Sequence, residues 1–536
     1  NKTYEYKFKV RQNGTYWYHS HSKGQEQDGL YGPLVIYPKN KVPLTAGEKA
    51  DRDYVVLLSD FHNSTSGQIM SNLKKEADYY QNRRETVFDV FKQIKRDGLK
   101  ATWQDRSMWN QMRMLKTDMS DVTNYTFLMN GKTPEQNWTG NFKAGEKVRL
   151  RFINASAMSF FDVRIPNLKM TVVSADGQPV KPVPVDEFRI GTAETYDVIV
   201  EPKQANYQIE AESIDRSGFS VGTLHDENTK PVKNIVMPKP RPRSLLTMED
   251  MGMDHDMSSM KGMDHDMSSM KSESKDQSMS GMDHDMSSMK GMDHDMSSMK
   301  SDSKEQSMPG MDHDMSSMKG MDHDMSSMKS DSKDQSMSGM NHDMSAMNTN
   351  TSETSDVVYG WANASTPVGQ RALKYSDLQS LNPQQDTRAP EREIEIRLGG
   401  NMERYIWTIN GKKFNQTEPF KVKYGERIRL KFINDSMMAH PMHLHGMFMQ
   451  LENGQDPSNM PNKHTVIVPP GKTVTTLLTA DELGEWAIHC HLLYHMSAGM
   501  MNKLIVANVD SNGTDMKDVV AQPKTNDKGV NQHAHH

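Results

Sequence analysis

The sequence predicts an all-β protein made of tandem Greek-key β-sandwiches. Three units are expected, the first truncated at its N-terminus, with a long disordered Met/His-rich insert between the second and third. Two observations lead there. Short runs such as KVRLRFIN, TYDVIV, REIEIRLGG and RIRLKFIN alternate or cluster apolar residues at strand length, with turn signals between them. Two long internal repeats keep constant offsets. A helical patch is expected near Ala77 to Leu99, where ETVFDVFKQIK places apolar residues three and four apart.

The repeats define the units. GTYWYHSH from Gly14 and GEWAIHCH from Gly484 stand at an offset of 470, which continues without a gap to GLYGPLVI from Gly29 and GMMNKLIV from Gly499. NGKTPEQNWTGNFKAGEKVRLRFINASAM from Asn130 repeats as NGKKFNQTEPFKVKYGERIRLKFINDSMM from Asn410, at an offset of 280. The 536 residues therefore divide into a remnant of a first sandwich (1–45), a second sandwich (46–244), the insert (245–356), a third sandwich (357–510) and a flexible tail (511–536). The chain begins shortly before WYHSH, so most of the first sandwich, and any export signal, is expected upstream of Asn1.

From Met248 to Asp356 there is no Val, Ile, Leu, Phe, Trp or Tyr. Nothing there buries enough surface to offset the entropy of ordering, so disorder is expected. Its decamer GMDHDMSSMK starts at Gly252, Gly262, Gly281, Gly291, Gly310 and Gly320, with a worn copy at Gly339. Methionine is an odd residue for a solvated linker. Thioethers select Cu(I), while His and Asp suit Cu(II), so Met253, His255, Met257, Met263, His265 and Met267 of the first two copies are candidate accessory copper ligands. A repeat-expanded linker with no metal role is the competing reading.

The residues that carry chemistry lie in HCHLLYHMSAGM, His489 to Met500, around the only cysteine. The thiolate of Cys490, the imidazole of His495 and the thioether of Met500 supply three of the four ligands of a blue-copper electron-transfer site. On a strand, His489 and His491 point to the opposite face and can serve a second metal centre. A lone cysteine is more often a buried hydrophobe. Five metal-competent residues within twelve argue against that.

The fourth ligand must come from elsewhere, and HPMHLHG offers His440, His443 and His445. His443 and His445 alternate on one face of a strand, leaving His440 to complete the first site. WYHSH adds a second alternating pair, His19 and His21. The repeats act as a control. Under the first offset His489 and His491 fall on His19 and His21, but Cys490, His495 and Met500 fall on Ser20, Gln25 and Leu30. Under the second, His440, His443 and His445 fall on Phe160, Val163 and Ile165, residues suited to a packed core.

Composition excludes several classes. One cysteine allows no disulfide framework, no run approaches the ~20 apolar residues of a membrane span, and no basic run indicates nucleic acid. His62, His225 and His464 stand alone and read as structural or exposed, and Met108, Met112, Met114 and Met119 are ambiguous between a helix face and ligands.

WYHSH, HPMHLHG and HCHLLYHMSAGM together resemble the motifs of the multicopper oxidases. The Met/His-rich insert and DRSMWNQMRMLKTDMSDV from Asp105 look like that family's periplasmic copper-resistance branch, a cuprous-oxidase type. The resemblance implies cupredoxin-like domains and four copper ions in the complete protein. It implies type 1 copper on His440, Cys490, His495 and axial Met500, and type 2 copper on His443. The type 3 coppers would lie on His19 with His491, and on His21 with His445 and His489. Cys490, His489 and His491 would pass electrons, from substrate at the type 1 copper to dioxygen at the cluster. Cu(I) is the favoured substrate, with Met438 and Met442, beside Met437 and Met447, as candidate access ligands. Laccase-like oxidation of phenols, and sequestration by the insert, are the alternatives. The resemblance also implies periplasmic copper-binding proteins as partners. The family's first HxHG motif is missing, so two cluster ligands are expected upstream of Asn1.

Overall fold

The computed structural model describes residues 3, 5–40, 45–80, 87–111, 120–232, 235–245, 357–359, 366–401 and 404–508. Met112, Met114 and Met119, the tail, and the insert with Met253, His255, Met257, Met263, His265 and Met267 lie outside the described residues.

The architecture is mostly β. Residues from Arg52 to Asp226 form a six-stranded and a five-stranded sheet, and residues from Arg392 to Ala507 form a second such pair. Alternation drives it: along Arg392–Asn401, Ile394, Ile396 and Leu398 turn inward while Glu393, Glu395 and Arg397 face out. Each buried aliphatic side chain of this kind contributes about 1.5–3 kcal/mol. One core gathers Val56, Phe152, Val163 and Ile209 between the sheets of the first pair, and another gathers Ile396, Phe432, Leu478 and Ile488 in the second.

The internal repeats reappear as topology. Strand Arg52–Phe61 runs parallel beside Val148–Asn154, which pairs antiparallel with Thr195–Val200. In the second pair of sheets, Arg392–Asn401 runs parallel beside Arg427–Asn434, which pairs antiparallel with Thr473–Thr479. The hairpin of Gly14–His19 with Tyr31–Ile36 pairs Gly14 with Ile36 and His19 with Tyr31. Strands Gly484–Cys490 and Met501–Ala507 pair Gly484 with Val506 and His489 with Met501. The register is the same under the offset of 470.

The expected helical patch is only part of the helical content. Val87–Asp97 falls within it, but Ser66–Lys75 and Leu99–Gln111 are further helices. The first had a sequence signal: Thr65 accepts from the Gln68 backbone N–H while the Gln68 side chain accepts from the Thr65 N–H, a capping box. Among the described residues, no helix is long and apolar enough to cross a membrane.

Candidate metal centres

Two neighbouring strands contribute to both centres. His440–Leu444 pairs with Gly484–Cys490, setting Met442 opposite Cys490 and His443 opposite His489. Side chains alternate. His440, Met442 and Cys490 therefore share one face, and His443 and His489 share the other.

On the first face, Cys490 Sγ lies 3.6 Å from His440 Nδ1 and 3.8 Å from His495 Nδ1, and the two Nδ1 atoms are 3.1 Å apart. All three residues are fully buried. His495 is brought in by the short helix Leu493–Ser497, with the Trp407 ring stacked on it at 4.0 Å. The Met500 N–H donates to His495 O, and the Cys490 N–H donates to Met500 O. Gly499 makes that turn at φ +126°, where a Cβ would come within 2.7 Å of Trp407 O. Met500 is buried in the same core as Cys490.

The far nitrogens of the two rings are occupied. His440 Nε2 meets Ser436 Oγ at 2.7 Å, and His495 Nε2 meets Asp121 Oδ2 at 2.8 Å. With a proton on each Nε2, both Nδ1 lone pairs face each other beside the thiol. That donor set suits a soft-to-borderline cation. Burial pushes the Cys490 thiol up and His440 well below its ordinary value. A bound ion reverses that balance for the thiol, which ionises on coordination.

On the other face, six histidine rings crowd together. His445 Nε2 lies 3.1 Å from His489 Nε2, and His19 Nε2 lies 3.2 Å from His491 Nε2. His21 sits 4.9 Å from His445 and 5.3 Å from His489, centroid to centroid. His443 stands 4.8 Å from His445 and 5.6 Å from His491. Its Nδ1 reaches His464 O at 2.8 Å, and His489 Nδ1 reaches Cys490 O at 3.0 Å, which leaves each Nε2 free of those contacts. Burial lowers His443, His489 and His491 far below the ordinary histidine value and His21 and His445 to about 4. These imidazoles are neutral donors at neutral pH, with paired lone pairs that a metal would satisfy. A cavity of about 870 Å³ opens onto His19, His443, His445 and His491.

The same cavity is lined by His464, which the sequence suggested was an isolated histidine. Its ring lies 5.1 Å from that of His443. Met437, Met438, Met442 and Met447 all pack in the core, and Met442 is fully buried. Two carboxylates join the centres unanticipated. Asp121, buried, holds His495 and accepts from Tyr405 Oη at 2.9 Å. Glu26, also buried, brings Oε2 to 2.8 Å from His19 Nδ1 and Oε1 to 4.0 Å from His491 Nδ1. Burial raises its carboxyl above the usual range.

Sequence models described as multicopper oxidase match residues 1–41, 52–229 and 387–510. Copper resistance protein A of Escherichia coli is 48% identical over 94% of this chain and 79% of its own length. Copper resistance protein A of Pseudomonas syringae pv. tomato is 49% identical over the same shares. The chain belongs to the multicopper oxidase family.

Solved structures agree at the level of the fold. Fet3p, a multicopper oxidase that functions in iron import, is 14% identical, with a TM-score of 0.51 over 92% of this chain and 72% of its own. The laccase from Botrytis aclada is 18% identical, with the same score over 93% and 71%. As a multicopper oxidase of cupredoxin-like fold, the chain is a copper-dependent oxidoreductase. The donor sets described above fit that cofactor: a thiol with two imidazoles on one face, and paired imidazoles on the other.

Proposed function

We propose that this enzyme oxidises Cu(I) to Cu(II) and reduces dioxygen to water, and so serves copper resistance in the periplasm. In balance, four Cu(I), one dioxygen and four protons give four Cu(II) and two waters. The observation that carries the reading is covalent contiguity. Cys490 belongs to a buried Cys/His set while both its chain neighbours, His489 and His491, belong to the histidine cluster.

Within it, His440, Cys490, His495 and axial Met500 would hold type 1 copper, His443 the type 2 copper, and His19, His21, His445, His489 and His491 the type 3 pair. Bound copper supplies one-electron redox couples at the first centre and the chemistry of dioxygen at the second. The protein's own part is to keep the first set dry and rigid and the second open to a cavity. His440, Cys490 and His495 have no exposed surface, and Trp407 and Asp121 fix the orientation of His495. Sandwiches at 46–244 and 357–510 carry these residues, together with the remnant at 1–45.

Cu(I) is favoured as substrate because the relatives are named for copper resistance and because soft thioethers crowd the segment before His440. Met438 and Met442 are the proposed access ligands, reached by opening of the packed segment 437–447. The insert would gather copper through Met253, His255, Met257, Met263, His265 and Met267, and periplasmic copper-binding proteins would exchange copper with the enzyme.

Steady-state oxygen uptake with Cu(I) and with a phenol tests this, for the full-length protein and for a form lacking 248–350. Uptake with Cu(I), abolished for both donors by Cys490→Ser, is expected. Uptake with the phenol alone would make the enzyme a laccase. Copper binding that depends on 248–350, with no uptake from either donor, would make it a sequestering protein.

A further inference from the structure

Glu26 sits at an unusual place for a carboxylate. Its side chain has about 1% of its surface exposed, and burying an unpaired carboxylate costs several kcal/mol. What faces it are two imidazoles of the histidine cluster, each presenting Nδ1 to a different carboxylate oxygen while their Nε2 atoms meet 3.2 Å apart on the other side. Oε1 is buried with no hydrogen-bond partner, and His19 Nδ1, though close, is not aligned with Oε2 for a hydrogen bond. A proton on each Nδ1 would give both oxygens a partner once the 4.0 Å gap to His491 closes.

The backbone around Glu26 is bolted in place. Gln27 donates from Nε2 to Asp60 O at 3.0 Å and accepts from Tyr125 Oη at 2.8 Å. Asp28 accepts from Ser66 N–H and Ser66 Oγ at the start of helix Ser66–Lys75. A carboxylate directly before two such anchors has little freedom to leave the histidines. Under the offset of 470, Glu26 takes the place that Met496 holds beside His495. The unit lacking the thiol has thus put an anion where the unit with the thiol has a thioether.

We propose that Glu26 is a positioning residue for the histidine cluster: its two oxygens accept the Nδ1–H of His19 and of His491 and hold both Nε2 lone pairs on one copper. Fixing the tautomer and ring orientation of two ligands through one carboxylate is the role of such partners around metal sites. The inference rests on copper binding at these histidines, as under Proposed function.

The test uses the full-length protein, Glu26→Ala and Glu26→Gln, each loaded with Cu(II). Readouts are copper per chain, copper lost to a chelator, the electron paramagnetic resonance spectrum and the blue absorption of the Cys490 centre. Glu26→Ala is expected to weaken copper retention at the cluster about 10–100-fold while the blue absorption stays. Glu26→Gln, whose amide oxygen can still accept from one ring, should fall between Ala and wild type. Unchanged cluster retention in Glu26→Ala would overturn the proposal, and so would equal losses at both centres, which mark general destabilisation. A His19→Ala/His491→Ala control separates the two readings. If that control leaves bound copper unchanged, the cluster reading itself fails.

Discussion

Asp121 Oδ2 lies 2.8 Å from His495 Nε2, between residues 374 apart in sequence. The carboxylate fixes His495 with its proton on Nε2 and its lone pair on Nδ1, beside Cys490. Asp121→Asn keeps the shape but removes the charge. We expect copper held at the Cys490 centre to be released to a chelator about 10–100-fold more readily, and the reduction potential of that centre to rise, because a buried anion no longer favours the more positive ion. Unchanged potential and retention in a redox and chelator titration would remove Asp121 from this role.

The two centres should respond differently to acid. Burial lowers His21 and His445 to about 4 and the deeper cluster histidines further, so protons compete little for them above about pH 5. The Cys490 thiol is shifted upward, so copper must displace its proton across the whole neutral range. Copper affinity at the Cys490 centre should therefore fall about tenfold per pH unit lowered from 8 to 6, while that of the cluster stays nearly flat.

Stability of the copper-free chain follows from the same shifts. An unfolded histidine titrates near 6.5, above the folded values, so below about pH 6.5 the unfolded state binds more protons and stability is lost as pH falls toward 4. The melting temperature of the copper-free protein should drop between pH 7 and pH 5. A flat profile would show that the folded protein does not hold these imidazoles neutral.

Lys463 Nζ lies 3.0 Å from Asp176 and from Glu194, with all three side chains fully buried. The lysine ends a strand of the second pair of sheets, and the carboxylates lie in connections between strands of the first. Lys463→Met would leave two carboxylates buried without their cation, at a cost of about 3–5 kcal/mol. Chemical denaturation should show it as a lowered midpoint. A loss below about 1 kcal/mol would mean that water replaces the ammonium group.

Gly446 closes HPMHLHG at φ +79°, and a Cβ there would lie 2.4 Å from the Trp486 ring. Gly446→Ala combines a left-handed backbone with a clash. We expect about 1–3 kcal/mol of destabilisation and weaker copper retention at the cluster, since His445 is its neighbour. Thermal melting and copper content check both.

The parts of this molecule legible in its sequence were those with a period or a repeat. Strand alternation along Arg392–Asn401 and the equal registers of the two hairpins are properties of local pattern, and they carried the fold. The histidines that meet across the chain were legible because each came in a spaced motif. Asp121, Glu26 and His464 had no such mark. Each is a single residue in a polar run, and its meaning arises only when another segment closes over it. Glu26 carries one faint mark: under the offset of 470 it takes the place of Met496, the residue after His495. Helix Leu99–Gln111 was missed for the opposite reason, since its apolar residues form no strong stripe.

Strand Arg243–Leu245 pairs in parallel with Val357–Tyr359, so the backbone on either side of the repeat segment is stitched together before that segment begins and after it ends. Gain or loss of whole decamers leaves the residues of that seam, and of both pairs of sheets, unchanged. The number of decamers is thus separable from the residues that build either metal centre.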